Sequence, residues 1–245
     1  MKASPQMQAR LLDLVDLDTR VNQLAHQLRT LPEQIDIDRM EAQRPALEEA
    51  VVRTGTEVSD LQREVSRAEA AVQLVRDRAA RDRQRLDAGT GSPKDLQALQ
   101  HELESLARRQ GVLEDEELEV MERVETAETA EREARQAYEE HAARLAELSA
   151  VRDEKAAAIQ AEKDQVEGGR GALTAELPGD LLALYERLRA QLGSGAAPLQ
   201  HRRCGGCRLD INAVDMGRIR AAAEDEVLRC EECGRILVRT PEAGL

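Results

Sequence analysis

Phenylalanine and tryptophan are absent from this chain, and tyrosine occurs only at Tyr138 and Tyr185. Aromatic side chains dominate the energetics of ordinary cores, so their absence excludes a thick globular core and leaves a narrow apolar seam as the alternative. No run approaches the ~18 apolar residues needed to span a bilayer. The opening Met1-Lys2-Ala3-Ser4-Pro5 leads into an amphipathic segment rather than a secretory leader. Lysine is confined to Lys2, Lys94, Lys155 and Lys163 while arginine is abundant, a bias that, with the alanine content, fits a GC-rich bacterial genome. Excess positive charge is missing too: 35 Lys and Arg against 48 Asp and Glu give a formal net charge of −13. That balance disfavours broad attraction to nucleic acid or to an anionic membrane. A cytoplasmic location is expected, where thiols stay reduced and paired CxxC motifs indicate metal more often than disulfide.

What is present is helix-forming. The chain is 34% charged and 41% hydrophobic, mostly Ala, Leu and Val, the profile of coiled coil rather than of disorder. Apolar residues recur on alternating steps of three and four. The first seam reads Met7, Leu14, Leu17, Val21, Leu24, Leu28, Leu31, and Pro32 interrupts it. A second reads Leu47, Val51, Val58, Leu61, Val65, Ala68, Val72, Val75, Ala79, Leu86 in one heptad register. Residues 87–93, with Gly89, Gly91 and the pair Ser92-Pro93, form a turn and then an N-cap with proline at the first helical position. Asp95 completes an approximate capping box. A third seam follows from Leu96 to Val166, and Gly168-Gly169-Arg170-Gly171 is expected to stop it.

Length decides the topology. The helix from Ser92 to Val166 spans roughly 110 Å, but Gln34 to Leu86 only roughly 80 Å. Adding the segment from Met7 to Leu31 restores the match, so Pro32 kinks an outgoing arm without reversing it, and Pro45 offers a second bend. The returning helix pairs antiparallel with both pieces. Gln110 and Glu117 occupy seam positions, where polar residues commonly fix register. The isolated His26, His101 and His141 carry no site.

Asp180 is expected to cap a short helix ending near Gly193, with Tyr185 packing it on the base of the hairpin and Gly193-Ser194-Gly195 acting as a flexible joint. Then come Cys204-Gly205-Gly206-Cys207 and, after 22 residues, Cys230-Glu231-Glu232-Cys233. Each CxxC puts two thiolates on one ion from a tight knuckle, and two knuckles complete the tetrahedral set of a structural zinc. The insert slightly exceeds the usual ~15–20 residues; a helical turn over Asn212–Arg220 absorbs the excess. Strands are expected at Val227–Arg229 and Arg235–Val238. A redox dithiol would want a βαβ context, and a catalytic zinc would need His201 to displace a cysteine. A RING needs a second ligand set that the chain lacks. The expected fold is mainly α, a long kinked antiparallel coiled-coil hairpin (1–171, tip 87–93), a short helix and linker (172–195), and a small C-terminal β-rich zinc ribbon (196–245).

This arrangement resembles a bacterial family of kinked coiled-coil hairpin proteins with a C-terminal four-cysteine zinc ribbon, often described as predicted nucleic-acid-binding proteins. The resemblance is carried by Pro93-Lys94-Asp95-Leu96-Gln97-Ala98-Leu99-Gln100-His101-Glu102 at the tip and by Leu113-Glu114-Asp115-Glu116-Glu117-Leu118. Leu177-Pro178 through Tyr185-Glu186-Arg187 and Cys230 through Leu237 extend it over essentially the whole chain. Asp95 stands where a glutamate is more usual. Some members look like adaptors for an alternative sigma factor and for export machinery. The resemblance therefore implies an adaptor-like role, without carrying those particular partners over.

Two functions remain in view. One is a non-enzymatic adaptor that binds protein partners through hairpin and ribbon. The other is nucleic-acid binding through the ribbon, with Arg202, Arg203, Arg208, Arg218, Arg220 and Arg235 as the candidate phosphate or partner contacts. From His201 onward eight arginines are balanced by eight acids, and no aromatics are available for base stacking. An enzyme is not expected: GxSxG, phosphate-loop and HExxH patterns are absent, and Glu114 to Glu117 read as solvated charge. The hairpin satisfies its own seam, so a monomer is expected, with Leu118 and Met121 left over as the basis for any dimer.

Overall fold

The computed structural model describes residues 1–244, and the heptad seams lie on its three long helices. They are α1 (Pro5–Arg29), α2 (Pro32–Asp87), α3 (Pro93–Glu176), α4 (Gly179–Leu192) and α5 (Ala213–Ala221). Four short strands complete the chain: β1 (Ala196–Gln200), β2 (Arg203–Cys204), β3 (Leu228–Arg229) and β4 (Ile236–Arg239). Two compact units result. Residues 35–149 make one; residues 1–34 with 150–245 make the other. Among the described residues no helix is long and apolar enough to cross a membrane.

The unit 35–149 is a two-helix pairing of α2 and α3. Val58, Leu61, Val72, Leu106, Leu113 and Ala127 are its buried seam. Ion pairs flank the seam in antiparallel order, Glu64 with Arg123, Arg76 with Glu114 and Arg78 with Glu102. Gln110 and Glu117 are half-buried in the seam as expected, and Gln110 donates to Glu114 at 2.8 Å. Pro45 lies inside α2 without ending it. At the tip Ser92 and Asp95 cap each other's backbone N–H: Ser92 N donates to Asp95 Oδ2 at 3.0 Å, and Asp95 N to Ser92 Oγ at 3.3 Å. The Ser92 hydroxyl, which donates to Asp95 Oδ2 at 2.7 Å, and after it the Ser92 N–H hold the Asp95 carboxyl below its usual range.

In the other unit α1 runs against the last part of α3, with Arg10 paired to Glu176 and Arg20 to Glu162. The break at Thr30–Leu31 restarts the chain as α2, with Pro32 at the first helical position, and pairing to α3 resumes at once through Glu33–Lys155 and Arg152–Gln34. Pro32 thus interrupts the arm without reversing it.

Three local expectations need correction. The glycine run does not end α3, which continues to Glu176. Glycine costs a helix about 1 kcal/mol relative to alanine, and packing outweighs that here: Arg170 pairs with Asp18 and Glu186, and Leu173 and Leu177 are buried. Asp180 sits within the first turn of α4, where Pro178 is the cap residue. Gly193-Ser194-Gly195 is no flexible joint. Gly193 closes α4 in the left-handed conformation, and a Cβ on Gly195 would come within 2.4 Å of the Tyr185 carbonyl oxygen. Only glycine lets β1 start that close to α4.

The centre of this unit is charged. Asp18, 2% exposed, accepts from the Tyr185 hydroxyl at 2.7 Å and from Arg170 Nε at 2.6 Å, and is ion-paired with Arg189, whose Nε lies 3.0 Å away. Both arginines also reach Glu186. One carboxylate therefore ties α1, α3 and α4 together. Desolvation first, and the hydrogen bond to Asp18 second, push the Tyr185 phenol far above its ordinary range.

The sheet order is β2-β1-β4-β3, with β1 and β4 parallel and the other pairs antiparallel. Ala196, Ile236 and Val238 face the helical core with Leu11, Leu14, Leu181, Leu184 and Leu188. Ala197, Leu199 and Leu237, on alternate positions, face a second core with Met216, Ile219 and the cysteines. Residues 1–3 join the same unit: Ala3 N donates to the Asp225 carbonyl at 2.8 Å. Gln8, 3% exposed, donates to the carbonyls of Ala3 and Glu224.

A Cβ at Gly168 or Gly169 would meet nothing within 4 Å. Gly168→Ala and Gly169→Ala are each expected to raise stability by about 0.5–1 kcal/mol in denaturant melts. Tyr185 sets a pH dependence. Its folded pKa lies above the unfolded value of about 10, so its contribution is full below about pH 10 and declines as pH rises further. Melts at rising pH are expected to show that alkaline decline in the parent and a shallower one in Tyr185→Phe.

Candidate zinc centre

Two knuckles of one design bring the four cysteines together. In the first, Cys204 N donates to the Leu209 carbonyl at 3.1 Å and Arg208 N to the Cys204 carbonyl at 2.8 Å. In the second, Cys230 N donates to the Arg235 carbonyl at 2.9 Å and Gly234 N to the Cys230 carbonyl at 2.8 Å. Each loop turns its backbone N–H groups onto its leading sulfur, those of Gly206 and Cys207 towards Cys204 and those of Glu232 and Cys233 towards Cys230. The loops also share a left-handed residue after the second cysteine, Gly234 at φ 74° and Arg208 at φ 62°. Glycine is at home there; an arginine is strained.

β2 delivers Cys204, and β3 and β4 bracket the second knuckle. The expected helical turn is the nine-residue α5, capped by Asn212, whose side chain accepts from Asp215 N at 2.9 Å. β1 and the two-residue β2 are the elements that sequence reasoning missed, β1 being the larger. The five residues of β1 contain Pro198 and two alanines, too little β signal to stand out, yet it is the parallel neighbour of β4.

All four Sγ atoms lie within 4.8 Å of one another. Cys204 and Cys233 are 3.8 Å apart, and Cys207 and Cys230 are 3.9 Å apart. A disulfide would need about 2.05 Å, whereas sulfurs on a tetrahedral zinc at about 2.3 Å stand about 3.8 Å from each other. The donor set therefore fits zinc. Burial, which dominates, pushes the Cys230 thiol up to about 12 and raises that of Cys204. At Cys233 burial also opposes ionisation, but donors outweigh it: the Arg235 backbone and guanidinium N–H groups and the neighbouring thiols bring it down to about 7. A bound cation favours the thiolate at all four.

The six candidate arginines do not form one surface. Arg203 is paired with Asp210 at 2.6 Å, and Arg218 with Glu231 and Asp215. Arg235 donates to the Leu192 carbonyl at 2.7 Å, linking the second knuckle to the end of α4. Arg202, Arg208 and Arg220 are exposed and have no carboxylate partner among the described residues. Arg202 and Arg220 flank the same turn: Arg220 donates to the Gly244 carbonyl at 3.1 Å, and Arg202 N to the Ala243 carbonyl at 3.1 Å. His201, free of the cysteine cluster, turns with Arg202 at positive φ between β1 and β2.

Residues 14–193 match the family model described as a CT398-like coiled coil hairpin domain, and residues 203–237 match a C4-type zinc ribbon domain. An uncharacterized protein of Mycobacterium tuberculosis is 41% identical over 98% of both chains. Another from Mycobacterium leprae is 33% identical over 90% of this chain and 95% of that one. Among solved structures, one from Mycobacterium smegmatis superposes with a TM-score of 0.81 at 38% identity, over 98% of this chain and 100% of the other. CT398 from Chlamydia trachomatis gives a TM-score of 0.60 at 18% identity, over 96% and 98% of the two chains, a likeness of fold.

Zinc ligation requires deprotonated thiols, so affinity falls with pH. At a fixed chelator concentration, metal retained at about pH 7.5 is expected to be released as pH falls towards about 5, read with a colorimetric zinc indicator. Relief of backbone strain predicts that Arg208→Gly raises the stability of the metal-loaded protein by about 1 kcal/mol, measured by denaturant titration.

Proposed function

The chain belongs to the CT398-like coiled-coil hairpin family, and from that premise we propose that it is a non-enzymatic adaptor of the cytoplasm. One structural zinc ion per chain holds the ribbon together, and the hairpin and the ribbon each present surface to protein partners. The observation that carries this reading is the closed donor set. Four cysteine sulfurs within 4.8 Å of one another fill a tetrahedron and leave no position for a reacting water, which makes the metal a fold-builder rather than a reagent. The paired helices support the same reading. Their seam is covered within the chain, and single apolar side chains such as Leu118 (59% exposed) and Met121 (44%) stand out among charges. The self-covered seam favours a monomer.

A second reading has its own support. Arg202 and Arg220 beside one turn, with Arg208 held in a strained left-handed conformation, offer cations to a phosphate backbone. The balanced charge of the ribbon makes that reading the weaker one, and any such binding is steeply salt-dependent.

A crosslinked pull-down of the tagged full chain from its native cells, divided into nuclease-treated and untreated halves, separates the two. The adaptor reading expects a protein set that survives nuclease; recovery that collapses with nuclease overturns it in favour of the arginines. Metal analysis is expected to return one zinc per chain.

A further inference from the structure

Beside the metal centre, α5, β3 and the second knuckle enclose a cleft of about 270 Å³. Its floor is apolar, built from Ile211, Ile219, Val227 and Leu228. Its walls carry five carboxylates, Asp210, Asp215, Glu226, Glu231 and Glu232, against two guanidiniums, Arg218 and Arg229. Arg229 Nε is taken up by the Gly234 carbonyl at 2.8 Å. Glu226 and Glu232 have no cationic side chain within ion-pair distance among the described residues. Arg218 alone spans the walls, joining Asp215 on α5 to Glu231 on the knuckle. The pair with Glu231 is solvent-exposed on both sides, 65% for Arg218 and 56% for Glu231, and an exposed pair of this kind holds little free energy, whereas Asp215 is more sheltered at 18%.

Size and charge together select the occupant. Small-molecule sites run to roughly 300–1,000 Å³, so this cleft falls at the small end of that range and has room for one anchoring side chain of a longer chain. The carboxylates select a cationic chain and repel phosphate-bearing ones. Resting on the adaptor reading, we propose that the cleft docks a basic segment of a partner protein. An aliphatic side chain of the segment seats over Ile211 and Leu228. Its flanking arginines or lysines take the place of Arg218 at Asp215 and Glu231, and meet Glu226 and Glu232. Arg218 is then the built-in occupant that such a segment displaces.

The test uses the metal-loaded full chain and a fluorescein-labelled ten-residue peptide alternating arginine and leucine, read by fluorescence anisotropy. The double variant Glu226→Lys, Glu232→Lys is expected to bind about tenfold or more weakly. Both glutamates are exposed, so an unchanged melting curve establishes that the variant is folded. Arg218→Ala is expected to bind severalfold more tightly, because the competing cation is gone. Replacing the leucines of the peptide by serine is expected to weaken binding about tenfold, since the apolar anchor is lost. Equal affinity for the serine peptide, or no effect of the double variant, overturns the cleft as a docking site. Partner capture by the unaltered chain is a separate readout, so nuclease-resistant partners with a charge-insensitive cleft would reject this inference alone. Loss of those partners would reject the adaptor reading instead.

Discussion

A single carboxylate, that of Asp18, sits almost fully out of water, and the unit containing the ribbon is organised by the need to compensate it. Burying an unpaired charge costs several kcal/mol, and removing one partner of such a pair is strongly destabilising. Three partners from two other helices converge on this one: Tyr185 and Arg189 from α4, and Arg170 from α3. The helices cannot slide past one another without leaving a donor or the carboxylate unmet. Because α4 runs into β1 after a three-residue turn closed by Gly195 against Tyr185, fixing α4 also fixes the first strand of the ribbon. The same contact explains why α3 tolerates glycines at 168, 169 and 171, since Arg170 and Leu173 hold it from either side.

The ribbon inherits its orientation from that arrangement and its cohesion from the cysteines. β1 and β4 carry apolar residues on both faces, one set in the helical core and one around the knuckles. Neither face could be closed by the ribbon alone. Its second core is small and consists partly of the four cysteines, so the ion they fit supplies binding energy that acts as folding energy. The cysteine cluster and the buried carboxylate thus lie on opposite sides of the same two strands.

The sequence made the periodic and paired features legible. Heptad spacing placed the seam residues, Ser92-Pro93 with Asp95 placed the tip, and CxxC spacing placed the sulfurs that the fold brings within 4.8 Å. Local signals failed where tertiary contacts outweigh propensity. Gly168 to Gly171 look like a stop and lie inside α3; Gly193 to Gly195 look like a hinge and form a close-packed turn. Asp18 hid because attention to the apolar series passes over an acid. A trace existed, since it follows Leu11 by seven and Leu14 by four residues, on a face that the helix buries. The six candidate arginines of the ribbon were equivalent as letters. The fold separates them into three held by carboxylates or a helix end and three without a carboxylate partner among the described residues.

Asp18 holds its own unit together, while the α2–α3 pairing at 35–149 stands on its seam. Amide hydrogen exchange on Asp18→Asn, which keeps the shape and removes the charge, tests this most directly. Faster exchange is expected in α1, in residues 166–192 and in β1 and β4, with residues 50–140 unchanged. Unchanged exchange throughout, or an increase spread evenly over both units, would contradict it.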